Sequence, residues 1–187
     1  MYRKRLRPAY SFAELQNLYA GPYHTGLAAQ RLRIETTTAV AKWMSWGIRS
    51  VADLSCGANE IVSALDVHQK YVGDFAPGYV IQGPIEETID QIPQVDLFIL
   101  SETLEHLDYP DELLRKLRGK ASRLLLTTPI DEGRHAESFN PEHYWGWDQE
   151  AIEVMLQEAG FEEVVMRVDL LTEVPKYMLP TQIWGVQ

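Results

Sequence analysis

The chain has 187 residues, 45% of them hydrophobic, and a formal net charge of −10; it is long enough for one domain with a full core, and its acid excess argues against broad contact with a nucleic-acid backbone. No apolar run is long enough to span a bilayer, and the start, Met1-Tyr2-Arg3-Lys4-Arg5, leads into no apolar secretory segment. A lone cysteine, Cys56, excludes an intramolecular disulfide framework and fits a reducing cytoplasm.

The basic start, with Arg3, Lys4, Arg5 and Arg7, is expected to be a solvated, disordered tail. Ser11 to Tyr19 reads as a short helix, with Ser11 as N-cap and Glu14 at capping-box spacing. Its apolar stripe is Phe12, Leu15, Leu18 and Tyr19, and Gly21-Pro22 breaks it. Leu27 to Trp46 is a longer helical segment, weakened in the middle by Thr36 to Thr38 and ended by Gly47. Strands and helices then alternate. Strands are expected at 51–54, 70–73, 79–82, 95–100 and 123–127, and helical segments at 60–65, 85–92, 111–117 and 149–159. The final two strands, 161–170 and 176–186, have no helix between them and suggest an antiparallel hairpin.

This pattern predicts an α/β fold: a doubly wound, mostly parallel, seven-stranded Rossmann-like sheet with a C-terminal antiparallel β-hairpin and an N-terminal helical extension. Residues 1–46 are the extension, a candidate lid, and 47–187 the main domain. The stretch Ser50-Val51-Ala52-Asp53-Leu54-Ser55-Cys56-Gly57-Ala58-Asn59-Glu60 organises the rest. A buried strand ends in an acid and enters a turn of small residues at the mouth of a helix. Backbone there approaches a ligand closely, as two nucleotide-binding classes require.

The ending separates those classes, because dinucleotide-binding folds continue strand–helix to the end. A sheet that closes in a hairpin after Glu158-Ala159-Gly160-Phe161 resembles the class I S-adenosylmethionine (SAM)-dependent methyltransferases. Ala52-Asp53-Leu54-Ser55-Cys56-Gly57, Tyr71-Val72-Gly73-Asp74, Leu100-Ser101-Glu102-Thr103-Leu104-Glu105-His106-Leu107 and Thr127-Thr128-Pro129 carry the same resemblance, in family order. It implies SAM as cofactor. Asp53 would organise the turn and face the SAM amino group, beside Ser55 and Ser101. Gly57 would let the methionine part pass close to backbone. Asp74, 21 positions after Asp53, would take the ribose hydroxyls, although it also reads as a turn aspartate. Backbone near Ile85, with apolar packing against Leu104, would hold adenine. The sequence departs from the family pattern where Ser55 and Asn59 replace glycines, and where Pro77-Gly78 stands in place of a helix. Asn tolerates positive φ, so the turn survives.

Glu102, Glu105 and His106 would share one face if their segment is helical, and Asn140-Pro141-Glu142-His143 adds a second histidine. The set resembles two metal-dependent O-methyltransferase groups, which act on small-RNA ends and on ubiquinone-pathway catechols. By that resemblance Glu102, Glu105, His106 and His143 would hold a divalent ion. Glu-His-Leu is also common in methyltransferases that bind no metal, where the histidine caps or packs and the glutamates complement a helix dipole; in a metal-free enzyme His106 or His143, with Glu102, would assist proton removal. Trp145 and Trp147 offer an aromatic wall, with Trp147 the better core residue. The Thr127 and Thr128 hydroxyls are expected to face the cleft. Tyr19, Tyr23 and His24 would lie in the lid, and His68 and His135 in solvent. Three readings follow: methyl transfer to oxygen or nitrogen of a small molecule, metal-dependent 2′-O-methylation of an RNA end, which predicts a basic cleft, and a non-catalytic binding module.

Overall fold

The computed structural model of the chain describes residues 1–18, 28–134, 140–170 and 181–187. In chain order the elements begin with β1 (Arg3–Arg5), α1 (Phe12–Leu18), α2 (Ala28–Met44), β2 (Ser50–Asp53), α3 (Glu60–Ser63), β3 (Gln69–Asp74), β4 (Ile81–Gln82) and α4 (Ile85–Thr88). They continue with β5 (Val95–Ser101), α5 (Pro110–Lys120), β6 (Ala121–Pro129), β7 (Trp145–Trp147), α6 (Gln149–Glu158), β8 (Val164–Leu170) and β9 (Thr181–Val186). Seven strands form one sheet in the order β4-β3-β2-β5-β6-β9-β8. The pairs from β4 across to β6 are parallel, and β9 runs antiparallel between β6 and β8. The predicted doubly wound sheet with a closing hairpin is therefore observed.

Both faces of the sheet are covered because its strands carry apolar residues on both sides. Side chains alternate along a strand, so β5 sends Leu97 and Ile99 into one core and Phe98 and Leu100 into the other. The first core contains Val40, Ala41 and Met44 from α2 with Ile61 and Val62 from α3. The second contains Leu113, Leu114 and Leu117 from α5 with Ile152, Met155 and Leu156 from α6. Helix α2 runs unbroken through the three threonines. Thr36 and Thr38 each donate to the carbonyl four residues back, and Thr37 is fully buried.

Between β3 and β4 only six residues intervene and none is helical, so the chain is trimmed where Pro77-Gly78 suggested. Parallel neighbours ordinarily need a long crossover; here they share two residue pairs, Gly73 with Ile81 and Asp74 with Gln82. A Cβ at Gly73 would stand 2.5 Å from the Ile81 carbonyl oxygen, so the close approach requires glycine. Val80 is left fully exposed at this edge.

The basic start is not a disordered tail. Strand β1 pairs antiparallel with β7, Arg3 and Arg5 form ion pairs with Asp111 and Asp108, and both guanidinium groups lie over the Trp145 ring. Partly exposed ion pairs, two-pronged at Arg3, and an aromatic face hold a segment whose like charges alone would keep it in water. The capping box of α1 forms as expected, with the Ser11 N–H donating to Glu14 Oε2 at 2.7 Å. The described part of the last strand runs from Thr181 to Val186, and 171–180, which include its expected start, lie outside the described residues. So do Tyr19, Tyr23, His24 and His135. His68 is exposed, as expected.

Candidate active site

Strand order reverses between β2 and β5, with β3 on one side and β6 on the other. Open α/β sheets bind ligands outside the carboxyl ends of strands at such a switch point. A cavity of about 800 Å³ opens there, within the range of small-molecule sites. It is lined by the β2–α3 turn, the ends of β3 and β5, the start of α4, residues of α1 and α2, and the segment from Asn140 to Tyr144.

At one end stand the two aspartates that close β2 and β3. The Asp53 carboxylate accepts from the Ser55 N–H at 3.0 Å, closing the turn on itself. Asp74 accepts from the Gly57 N–H at 2.7 Å through one oxygen and from the Ala76 N–H at 2.8 Å through the other. It thus ties two loops together, the turn role, and still lines the cavity; a carboxylate has about four acceptor sites, so capacity remains. Gly57 and Asn59 both adopt positive φ, 54° and 58°. Asn59 therefore does the conformational work of the glycine it replaces. Burial, with help from the Asp74 charge, pushes the Asp53 pKa up to about 7 against the opposing Ser55 N–H bond. Burial also raises Asp74. Burial pushes the Cys56 thiol up to about 12, so it is not a thiolate nucleophile.

At the other end, Glu105, His106 and His143 bring ligand atoms within 4.8 Å of one another. The two imidazoles meet edge-on, with centroids 4.6 Å apart. His106 Nδ1 lies 3.0 Å from the Glu142 carbonyl oxygen, so it must carry the proton and leave the Nε2 lone pair free. Nε2 is 3.9 Å from Glu105 Oε1. That oxygen is buried and has no hydrogen-bond partner, while Oε2 accepts from Thr128 at 3.0 Å. Burial and the nearby Glu102 charge push the Glu105 pKa up to about 8, and burial followed by the charge of His143 pushes His106 down to about 3. For His143, burial acts to lower the pKa but is outweighed by its bond to Glu132 and the charges of Glu105, Glu132 and Glu102, so the net shift is upward. An orphaned buried oxygen facing the unprotonated His106 Nε2 is a receptor for a proton or a cation.

Asp53, Ser55, Gly57, Asp74, Ile85, Ser101, Glu102, His106 and His143 all line this one cavity. The helical-face expectation for the Glu102 segment is corrected. Only Leu104 to His106 form a single 3-10 turn, and Glu102 sits before it with φ 51°. Glu102 falls outside the three-residue group; its carboxylate accepts from Thr127 at 2.9 Å and faces Arg33 at 4.0 Å. Thr127 and Thr128 are fully buried and hold Glu102 and Glu105 rather than lining the cleft. Leu104 is core, not an adenine contact. Trp147 is core, as preferred, donating from its indole to Thr128 at 3.1 Å. Trp145 lies under Arg3 and Arg5, and neither tryptophan lines the cavity; Tyr10, Phe12, Phe75 and Tyr144 do.

Three residues escaped the sequence reading. Arg33, on α2, donates to Ser101 at 2.8 Å and is the one basic lysine or arginine side chain among the described lining residues, against eight carboxylates. Glu132 and Asn140 both contact His143. Glu132 sits in a polar stretch, Asp131-Glu132-Gly133-Arg134, that reads as a surface loop. No local signal marks it as buried.

No family model matches the chain, and no curated protein matches it significantly. Solved structures do. The 1,6-didemethyltoxoflavin-N1-methyltransferase of Burkholderia thailandensis, with bound 1,6-didemethyltoxoflavin and S-adenosylhomocysteine, superposes with TM-score 0.72 at 15% identity, over 98% of this chain and 93% of that one. The N-methyltransferase NodS of Bradyrhizobium japonicum, in complex with S-adenosylhomocysteine, gives TM-score 0.68 at 16% identity, over 94% and 96%. A small RNA methyltransferase gives 0.64 at 16% identity, over 98% of this chain but 26% of that one. Sheet order, the antiparallel β9 beside β6, and these likenesses together identify the fold as that of the class I SAM-dependent methyltransferases.

Proposed function

We propose that this chain is a SAM-dependent methyltransferase acting on an oxygen or nitrogen of a small molecule. The observation that carries the reading is one cavity lined by two chemically distinct sets: paired aspartates at the ends of adjacent parallel strands, and His106 and His143, with the buried Glu105 behind them rather than in the lining. SAM supplies an activated methyl group when bound. Asp53 would face its ammonium, Arg33 its carboxylate, Asp74 its ribose hydroxyls, and Gly83, Pro84 and Ile85 its base, with Ser55, Gly57 and Ser101 allowing close approach. Residues Ala9, Tyr10, Phe12 and Leu15 line the same cavity, which supports a covering role for the N-terminal extension. His143, the more basic of the two imidazoles, would take the proton that the acceptor loses, with His106 packed beside it.

A metal-assisted variant is favoured by the unpartnered Glu105 oxygen. Glu105, His106 and His143 would hold the ion, with Glu102 close enough to raise the Glu105 pKa; imidazole with carboxylate suits Mn²⁺, Fe²⁺, Co²⁺ or Zn²⁺. The ion would lower the pKa of a bound hydroxyl. The eight lining carboxylates, and the pairing of Arg3 and Arg5 to Asp111 and Asp108, weigh against an RNA end as acceptor.

Calorimetric titration with S-adenosylhomocysteine, first with chelator and then with Mn²⁺, tests both parts. Micromolar binding is expected. No binding under either condition sinks the enzyme reading and leaves the binding module. Binding without any Mn²⁺ heat removes the metal variant.

A further inference from the structure

The acceptor end contains one carboxylate that touches the reactive group without lining up as a ligand. Glu132 follows β6 and is 1% exposed. Its Oε2 lies 2.5 Å from His143 Nδ1, and its Oε1 accepts the Asn140 backbone N–H at 2.5 Å. The backbone of Glu132 is held as tightly as its side chain. Its carbonyl oxygen accepts from the Tyr2 hydroxyl at 2.9 Å, and a Cβ at Gly146 would collide with it. The preceding Asp131 N–H donates to the Trp147 carbonyl at 2.7 Å. β7 and the chain start therefore fix where this carboxylate points.

The consequence for His143 is a defined tautomer. A carboxylate oxygen opposite Nδ1 requires the proton there. The lone pair is then on Nε2, where Asn140 Nδ2 donates at 3.1 Å. The Asn140 amide cannot turn round without loss, because its Oδ1 accepts from the Glu142 N–H at 3.0 Å. His106 is set the same way by the Glu142 carbonyl. Both imidazoles thus hold Nε2 as the accepting nitrogen.

We propose that Glu132 is the positioning residue of the acceptor end, pinning the His143 proton on Nδ1 so that Nε2 is kept as the acceptor of a proton or a divalent cation. The inference rests on the methyltransferase reading for its purpose, though not for its geometry. Carboxylates behind histidine ligands typically contribute 10- to 100-fold in metal affinity, and a carboxylate behind a histidine base sets its tautomer.

Glu132→Gln separates positioning from mere packing, since it is nearly isosteric. The Asn140 N–H still needs an acceptor, so the Gln carbonyl stays on it and the Gln NH₂ faces Nδ1. The His143 proton is then expected on Nε2, with the Asn140 amide giving up its bond there. Nitrogen-15 NMR of the histidine-labelled full chain reads this directly. The expected result is an Nδ1–H signal for His143 in the parent, Nε2–H in Glu132→Gln, and Nδ1–H again in Glu132→Asp. Where the parent binds Mn²⁺, that affinity falls roughly 10-fold or more in Glu132→Gln, while S-adenosylhomocysteine affinity stays within about threefold. An Nε2–H His143 in the parent overturns the proposal, whether or not the variants fold. So does an unmoved tautomer in Glu132→Gln, or a moved one with unchanged Mn²⁺ affinity. Failure of the parent to bind S-adenosylhomocysteine would instead count against the methyltransferase reading and leave the tautomer result to judge Glu132.

Discussion

The two ends of the cavity are built in different ways. The Asp53/Asp74 end comes from two strand ends that are neighbours in the sheet; Ser55 to Asp53 and Ala76 to Asp74 close each turn on itself, and Gly57 to Asp74 ties the two turns together across 17 residues. The Glu105/His106/His143 end comes from two segments far apart in the chain, the Leu104–His106 turn and the stretch before β7, each held by further partners. Thr128 holds Glu105, the Glu142 carbonyl holds His106, and Glu132 holds His143. The first end forms wherever β2 and β3 pair and their two turns close. The second is a meeting point that exists only when β6, the 3-10 turn and the segment before β7 are all in place. The first therefore makes a transferable cofactor seat, while the second is where one member of a fold can differ from another in chemistry.

The sharpest way to break the comparison is to injure one end and watch the other. Asp53→Asn keeps the turn, because the Asn oxygen still accepts from Ser55, but removes the charge. S-adenosylhomocysteine affinity should fall about 10- to 100-fold, or roughly 1.5–3 kcal/mol, with Mn²⁺ binding unchanged. A comparable loss of Mn²⁺ binding would mean the ends are not independent. His143→Ala is the mirror experiment. Mn²⁺ heat should vanish, and S-adenosylhomocysteine affinity should stay within about threefold by calorimetry. A large loss of nucleoside affinity would show that the acceptor end also builds the cofactor seat.

A smaller effect separates the two ends by pH. Asp53 and Glu105 have folded pKa values raised to about 7 and about 8, and His143 is raised as well. Stability from groups raised on folding is present below the unfolded pKa and lost as pH rises through the folded value. His106, depressed to about 3, contributes a constant amount above neutrality. Most of the Asp53 loss falls below pH 7, so from pH 7 to 8.5 the ligand-free chain should lose stability mainly through Glu105 and His143, on the order of 1 kcal/mol or roughly 2–4 °C in Tm. S-adenosylhomocysteine should offset more of that loss at the higher pH, because Asp53 is then charged. Glu105→Gln should flatten the slope, and Asp53→Asn should remove the ligand's extra protection. A melting temperature that rises over this interval would contradict the burial of both carboxyls.

By itself the sequence determined the sheet, its hairpin ending and the first cavity end, because each depends on signals within a few residues. Apolar runs mark β2, β5 and β6; Asp53 and Gly57 mark the turn; Gly160 stops α6 before the last strands. Local conformation also carried the Asn59 substitution, since a left-handed Asn is a property of one residue. Tertiary structure alone decided the rest. It recruited Arg3 and Arg5 into a strand, because Asp108, Asp111 and Trp145 lie far along the chain. It gave Glu102 a positive φ and a bond to Thr127 in place of the expected helical face, leaving it near Glu105 and His143 but outside their close group. It buried Glu132, which reads as loop, against His143. Each of these outcomes is a contact across 25 or more residues or a backbone strained to allow one, apart from Glu132, whose loop is carried inward by strands on either side. Periodicity and spacing hold no record of such contacts, since their energy exists only once the distant partners have met.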